Sequence, residues 1–289
     1  MGRRTISLFE RNWVLNMNNE CYLNKEEIQK TILETYHQFS LICDELGLKH
    51  WLAFGTLLGA VRHGDFIPWD DDFDVYMPRQ DYEALFKFFV SRNNHYGPYS
   101  LMDYRIIKNY PYCCGRFNDN RFIEIEPNTR QKYGLGINFD IYPLDGVNEK
   151  DNKYLKKIKL NRKILELKVF KKQGKSKKRI IGFLKAIASL FLRFSSPKRN
   201  IRKMQKLAKK YSFGETNYCG DISWDPRHNR MQTKWFEKTE KLLFHGIECP
   251  VPCGYKELLT LIYRDYMKLP PLEKRKGYHI SCITRKETF

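Results

Sequence analysis

Residues 55–77 read GTLLGAVRHGDFIPWDDDFDVYM, and four aspartates (Asp70, Asp71, Asp72 and Asp74) crowd into five positions of an otherwise basic chain. Neighbouring carboxylates repel one another, and Asp is a poor strand former. Yet these acids stand between Ile67-Pro68-Trp69 and Val75-Tyr76-Met77, flanks of the kind that a core buries. A solvated turn is one explanation. Against it, Asp72-Phe73-Asp74-Val75 alternates acid with apolar residue, which on a strand sends both carboxylates to one face and buries the other. A calcium loop is a second explanation, with Asp70, Asp72 and Asp74 at ligand positions one, three and five. It fails at Val75, where the sharp turn needs glycine, and at Asp81, where a bidentate Glu should close the loop. The third is a catalytic Mg2+ (or Mn2+) site. Two carboxylates on same-face strand positions can hold hard cations about 3.5–4 Å apart, as two-metal phosphoryl transfer requires.

The neighbouring sequence supplies what such a site needs. Gly55-Thr56 makes a turn into a short helix, Leu57 to Arg62, that can offer backbone N–H groups to a phosphate. A third carboxylate should come from an adjacent strand. Asp140 in INFDIYPLD (137–145) is flanked by apolar residues as such a residue would be, and the alternation points Asn138 and Asp140 to one face. Asp72, Asp74 and Asp140 are therefore the expected metal ligands, with Asp140 also the candidate general base. Asp70 and Asp71 orient them from behind. Gly55, Thr56 and Gly59 are expected to line the donor phosphates, with Arg62 and His63 neutralising diphosphate charge.

Further out, the pattern is that of an α/β (α+β) chain with a mixed sheet and flanking helices. Asn24 to Gly47 reads as an amphipathic helix: Asn24 and Glu27 form a capping box, Ile28, Ile32, Phe39, Ile42 and Leu46 recur at helical spacing, and Gly47 stands at the stop. Strands are expected at 50–54, 72–77, 113–118, 121–126 and 136–142, and a helix over 79–90. KLLFHGIECPVP should be two strands joined at His245-Gly246, followed by a helix from Tyr255 to Met267. Trp235 and Phe236 read as core.

The chain has 289 residues and 42% hydrophobic content, enough for one large domain. Its start, MGRRTISLFERNW, lacks an apolar signal region, and the run Ile180 to Phe194 is broken by Lys185 and Arg193 and too short to span a bilayer. The expectation is a cytoplasmic protein, peripheral at the inner membrane face. Eight scattered cysteines without zinc-ligand spacing suit free thiols. The net charge of +19 is local: residues 150–210 hold 23 Lys and Arg against Asp151 and Glu166, a net of +21, leaving −2 for the rest. Four parts are expected: an N-terminal extension (1–24), a catalytic core (25–149), a basic helical insertion (150–212) and a C-terminal part completing the core (213–289). The insertion, with the apolar faces of 179–194, suits contact with an anionic membrane. It contains few interleaved aromatics and no recognisable nucleic-acid module, so no nucleic acid is expected, although a non-catalytic nucleic-acid-binding protein is the alternative from another class.

GTLLGAVRHGDFIPWDDDFDVYMPRQDYEAL (55–85) closely resembles the central motif of the LicD family, the phosphocholine-transferase relatives of fukutin and fukutin-related protein. The resemblance extends to FDIYPLDG (139–146), TKWFEKT (233–239) and YRDYMKLPPLEKRKGYH (263–279). It implies a nucleotidyltransferase-like fold. It also implies metal-dependent transfer of a phospho-alcohol, such as phosphocholine, from a CDP-linked donor to a sugar hydroxyl of a cell-surface glycan or its lipid-linked precursor, with release of CMP. Nucleotidyl transfer, with the same metals, is the alternative within enzymes. By the same resemblance Asp265, Lys274, Arg275 and His279 are candidate substrate contacts; Arg116 joins them, and Asp145 is expected either to contact substrate or to cap or orient the Asp140 strand. Departures are Arg264 where the family has glycine, Tyr278-His279 in place of a His-His pair, and GRFNDNRF (115–122), which puts donor contacts there in doubt.

Overall fold

The computed structural model describes residues 23–108, 110–125, 134–169, 196–228, 230–275 and 282–286. Residues 179–194 and His279 lie outside that set. Helix α1 (Lys25–Leu46) starts with the reciprocal capping box of Asn24 and Glu27 and ends on Gly47 in the left-handed conformation, φ 64°. Its apolar stripe of Ile28, Ile32, Tyr36, Phe39, Ile42 and Cys43 is buried. A two-residue strand β1 (Trp51–Leu52) leads into α2 (Phe54–Arg62), then β2 (Asp74–Pro78) and α3 (Arg79–Ser91). Strands β3 (Tyr99–Met102), β4 (Gly115–Asp119), β5 (Phe122–Ile125) and the eleven-residue β6 (Ile137–Val147) follow. The basic segment supplies α4 (Asn152–Val169) and α5 (Lys198–Ala208). The remainder comprises β7 (Tyr218–Gly220), β8 (Met231–Gln232), the hairpin β9 (Thr239–Phe244) and β10 (Ile247–Pro252), α6 (Tyr255–Tyr263) and β11 (Cys282–Arg285).

The main sheet runs β1-β2-β6-β4-β3, with β7 and then β8 added beyond β6. Only β2 and β6 pair in parallel among the described strands of this sheet; its other pairings are antiparallel. The fold class is therefore the α/β mixed sheet with flanking helices expected from the sequence. Strand β6 is central: its first half pairs with β4, its middle with β2 and its last three residues with β7. It runs past the expected end at 142 because that last pairing keeps 145–147 extended, so Pro143 makes no turn. Rings fill the space under α1, with Phe139 at 5.2 Å from Phe39, 5.6 Å from Phe117 and 5.6 Å from Phe73.

Other boundaries differ from expectation too, and those nearest the aspartates and at the C-terminal helix have clear causes. Helix α2 begins at Phe54 rather than Leu57, so Gly55-Thr56 lies in its first turn. Strand β2 begins at Asp74, not Asp72, although the Asp140 N–H donates to the Phe73 carbonyl at 3.1 Å and extends the pairing by one residue. Helix α6 stops at Tyr263, because Arg264 adopts φ 64°. That is a conformation suited to glycine. At the β9–β10 tip His245 and Gly246 both take positive φ, as a two-residue hairpin turn requires. Phe236 is buried and Trp235 half-buried, as expected of core aromatics.

His50 is buried beside Tyr36, whose hydroxyl lies 3.2 Å from its Nε2, and burial holds its pKa down at about 4. The unfolded chain takes up a proton near pH 6.5 that the folded chain refuses until about 4. Its contribution is therefore complete above pH 6.5 and disappears as pH falls through that window, a loss of about 3 kcal/mol. His50→Gln should flatten the acid limb of a urea-denaturation series between pH 6.5 and 4; an unchanged limb would assign the acid sensitivity to other groups.

Candidate active site

The parallel register sets Asp74 directly beside Asp140, and the antiparallel register on the other side sets Arg116 beside Asp140. Neighbouring strands lie about 4.8 Å apart, so two carboxylates and a guanidinium cross three adjacent strands at one level. Asp72 precedes β2. Phe73 turns into the core against Tyr36, Phe139 and Phe244, which leaves the Asp72 and Asp74 side chains together on the opposite side. The loop carrying the acids is strapped to α1: Lys25 Nζ donates to the Pro68 carbonyl at 2.6 Å and Gln29 Nε2 to the Asp70 carbonyl at 3.1 Å.

This concentration of charge is costly without a counterion. Burial, then the charge of Asp70 and a hydrogen bond with it, then Asp140 and Asp71, push Asp72 up to about 8. Asp74 is held well above the usual carboxylate range by burial first and then by Asp72, Asp140 and Asp70. Asp140 is already engaged, accepting from Arg116 Nε at 2.6 Å on one oxygen and from the Tyr142 hydroxyl at 2.9 Å on the other. Arg116 in turn lies 4.2 Å over the Tyr112 ring. Among the described residues, no three acidic, histidine or cysteine side chains converge into a ready-made metal cage. The donor set is nonetheless all carboxylate oxygen, which suits a hard divalent cation. Each Asp140 oxygen retains a second lone pair beside the bond it accepts.

The other candidates fall in different places. Thr56 Oγ1 accepts from the Asp74 backbone N–H at 2.9 Å, so its hydroxyl fixes the start of β2. A Cβ on Gly55 would meet an Asp70 oxygen at 2.8 Å. The carboxylate thus occupies the helix N-terminus where a phosphate was expected, a favourable position for any anion. Gly59 is buried with its open side 2.5 Å from the Asp65 carbonyl; it serves close packing and does not line a phosphate site. Arg62 donates to the Tyr266 carbonyl at 2.9 Å and to His63 Nε2 at 3.0 Å, and partial burial, with Arg275 adding to it, lowers its pKa. Arg275 itself donates to the Pro270 carbonyl and lies 5.5 Å from Trp69. Asp71 is half-buried in the acidic loop, while Asp265 and Lys274 are exposed beyond α6. Asp145 is 1% exposed and paired with Arg79 through two bonds of 2.8 and 2.6 Å, so it is no substrate contact.

Several residues of the site lie outside the expected set. Tyr142 could have been found, since it lies two positions from Asp140 and so shares its strand face. Tyr263, at the end of α6, is 38% exposed as a residue, but its hydroxyl end is buried towards the acidic cluster: that burial first, then Asp74, Asp70 and Asp72, raise its pKa. Phe54 adopts φ 42° at the head of α2, its ring 5.1 Å from Tyr76, 5.0 Å from Tyr142 and 5.4 Å from His228. His228 is held by the fully buried Asp221 at 3.0 Å. Trp224 lies 5.6 Å from Tyr142, and Arg162 of α4 covers its ring at 4.3 Å while donating to its carbonyl at 2.6 Å. The basic segment is thus linked to the carboxylates through Trp224 and Tyr142.

Comparison with known proteins agrees with this arrangement. Residues 47–166 match the family model described as LicD/FKTN/FKRP, nucleotidyltransferase domain. Lipopolysaccharide cholinephosphotransferase LicD of Haemophilus influenzae is 32% identical over 267 residues, covering 89% of this chain and 97% of the relative. The chain belongs to the LicD family. Shorter matches include human ribitol 5-phosphate transferase FKRP, 44% identical over 46 residues (16% of this chain, 9% of the relative), and mannosyltransferase regulator 4 of Saccharomyces cerevisiae, 33% identical over 66 residues (23% and 6%). The LicD relative is matched along nearly its whole length, so the likeness includes the basic segment and the C-terminal part as well as the aspartates.

Proposed function

We propose that this protein transfers a phospho-alcohol of the phosphocholine type from a CDP-linked donor to a sugar hydroxyl of a surface glycan or its lipid-linked precursor. The observation that carries the reading is the register that sets Asp74 beside Asp140 with Asp72 in the strand's lead-in, in a chain 32% identical to a cholinephosphotransferase. The acceptor oxygen attacks the phosphorus bearing the alcohol, the bond from that phosphorus to the bridging oxygen breaks, and CMP leaves with the electron pair. Asp72, Asp74 and Asp140 would hold Mg2+ or Mn2+, which neutralises diphosphate charge and acidifies a bound hydroxyl. Asp140 takes the acceptor proton, kept in orientation by Arg116 and Tyr142. Arg116 keeps its Nε bond to Asp140 while the rest of its guanidinium offers donors to the transferring phosphoryl group, and Arg62 and Arg275 add positive charge nearby.

Incubation with magnesium, a glycan acceptor and CDP-alcohols labelled in either the alcohol or the cytidine should release CMP and move the alcohol label to the acceptor. Cytidine label on the acceptor would instead establish nucleotidyl transfer. With Asp140→Asn, turnover should fall at least a hundredfold while donor affinity changes little. Near-normal turnover of that variant would remove Asp140 from the reaction.

A further inference from the structure

We infer that the outward face of the α4–α5 pair is a phosphate-binding surface that seats the protein on an anionic membrane. The inner faces of the two helices are committed to the core. Tyr154, Leu155, Ile158 and Leu165 of α4 and Ile201, Met204 and Ala208 of α5 are buried, and Gln205 Nε2 donates to the Cys113 carbonyl at 2.6 Å. What remains outward is basic. On α4, Lys153, Lys156, Lys157 and Lys163 are exposed at successive turns. On α5, Arg199, Arg202, Lys203 and Lys206 do the same. Between the helices lies a groove of about 390 Å³ lined by Lys157, Asn161, Lys203, Lys206, Leu207 and Lys210. Lys210 is bonded to Asp151, whereas Lys157, Lys203 and Lys206 make no ion pair with a carboxylate among the described residues. The groove is walled mainly by the aliphatic stems of these side chains, so the three ammonium groups, unpaired with any carboxylate among the described residues, stand at its rim, where an anion with several acceptor oxygens such as a phosphate can meet them.

Two features favour a phosphate at a bilayer surface over one in solution or on a nucleic acid. Leu160 is 59% exposed within the lysine stripe of α4, the arrangement by which interfacial helices place an apolar side chain below the head groups while lysines meet lipid phosphates. The stripe also presents no aromatic ring on which a base could stack. The orientation that results rests on the proposed function only in its consequence. Arg162 of α4 covers Trp224, and Trp224 meets Tyr142, so the carboxylates are tied rigidly to the membrane-facing helix. A lipid-linked acceptor would then be met by a site already at its surface.

Flotation of the full chain with phosphatidylglycerol–phosphatidylcholine vesicles tests this without any turnover. Binding should be strong at low salt, fall steeply by about 0.5 M NaCl, and be absent on pure phosphatidylcholine. The triple variant Lys157→Glu, Lys203→Glu, Lys206→Glu should bind at least a hundredfold more weakly, since each lysine contributes roughly a factor of five. Its melting temperature and its turnover on soluble acceptors should be unchanged. Leu160→Ser should weaken binding severalfold without altering the salt slope. Equal binding to neutral vesicles, an unaffected triple variant, displacement by 10 mM inorganic phosphate, or tighter binding to an RNA oligonucleotide than to vesicles at equal salt would each overturn the inference. Asp74→Asn must bind vesicles like the parent, so failure here and failure of the catalytic reading are separable.

Discussion

Asp74→Asn should abolish transfer and yet raise the melting temperature of the protein freed of divalent cations. Asp74 is 7% exposed, enters the sheet beside Asp140 and has its pKa raised by burial and by Asp72, Asp140 and Asp70. An amide cannot supply an anionic ligand, and losing one carboxylate from the set that would hold the charge-neutralising cation should lower kcat by about a thousandfold, roughly 4 kcal/mol of transition-state stabilisation. The stability effect has the opposite sign. A carboxylate whose folded pKa lies above its unfolded value binds more protons folded than unfolded, so it costs stability increasingly as pH rises above about 4. Asn carries no such cost. In EDTA the variant should therefore melt above the parent at pH 8, with the gap closing towards pH 4, where the parent's aspartates are protonated too. Saturating magnesium should raise the melting temperature of the parent and leave the variant nearly unmoved. Normal kcat in the variant, or a lower melting temperature in EDTA at pH 8, would refute the assignment.

The residues that were readable in advance are those whose environment is set by local periodicity. The Asn24/Glu27 box and the stripe from Ile28 to Ile42 define α1 because capping and i, i+4 spacing are properties of one helix. Asn138 and Asp140 are less buried than Ile137, Phe139 and Ile141 because a strand alternates, and that alternation singled out Asp140 before its partner strand was known. Where the reading failed, a distant segment decides. Gly59 resembles a phosphate-loop glycine until the 65–67 backbone is seen against it. Gly55 resembles one too, but the Asp70 carboxylate comes back to the helix end. The pairing of Asp221 with His228 is local, but its relevance depends on the ring of Phe54, more than 160 residues earlier in the chain. No periodicity encodes such a contact.

Asp145, for which the sequence leaves open both a substrate contact and an orienting role on the strand, leads to the second large effect. Asp145→Ala should destabilise the protein by about 3–5 kcal/mol while leaving the activity of each folded molecule intact. The motif FDIYPLDG offers Asp140 and Asp145 as apparent equals, but they are five residues apart on one continuous strand, roughly 16 Å at strand rise. Asp140 lies at the end of the β2–β6 ladder where Asp74 enters, and Asp145 lies just past the other end, where Pro78 hands over to α3. There Arg79, 8% exposed, donates to both Asp145 oxygens. Burial works against the guanidinium charge, and Asp145 more than restores it. The pair fixes the head of α3 to the far end of the central strand, closing the parallel ladder whose near end carries the carboxylates. Removing the anion alone leaves a charged guanidinium in a site built for two partners, which is why the loss is large. Replacing both, as Arg79→Met with Asp145→Leu, removes the stranded charge and should recover much of the lost stability. Urea denaturation of the two single variants and the double variant measures this coupling, and kcat normalised to folded protein supplies the second axis. A single variant as stable as the parent but deficient in transfer would return Asp145 to the substrate site.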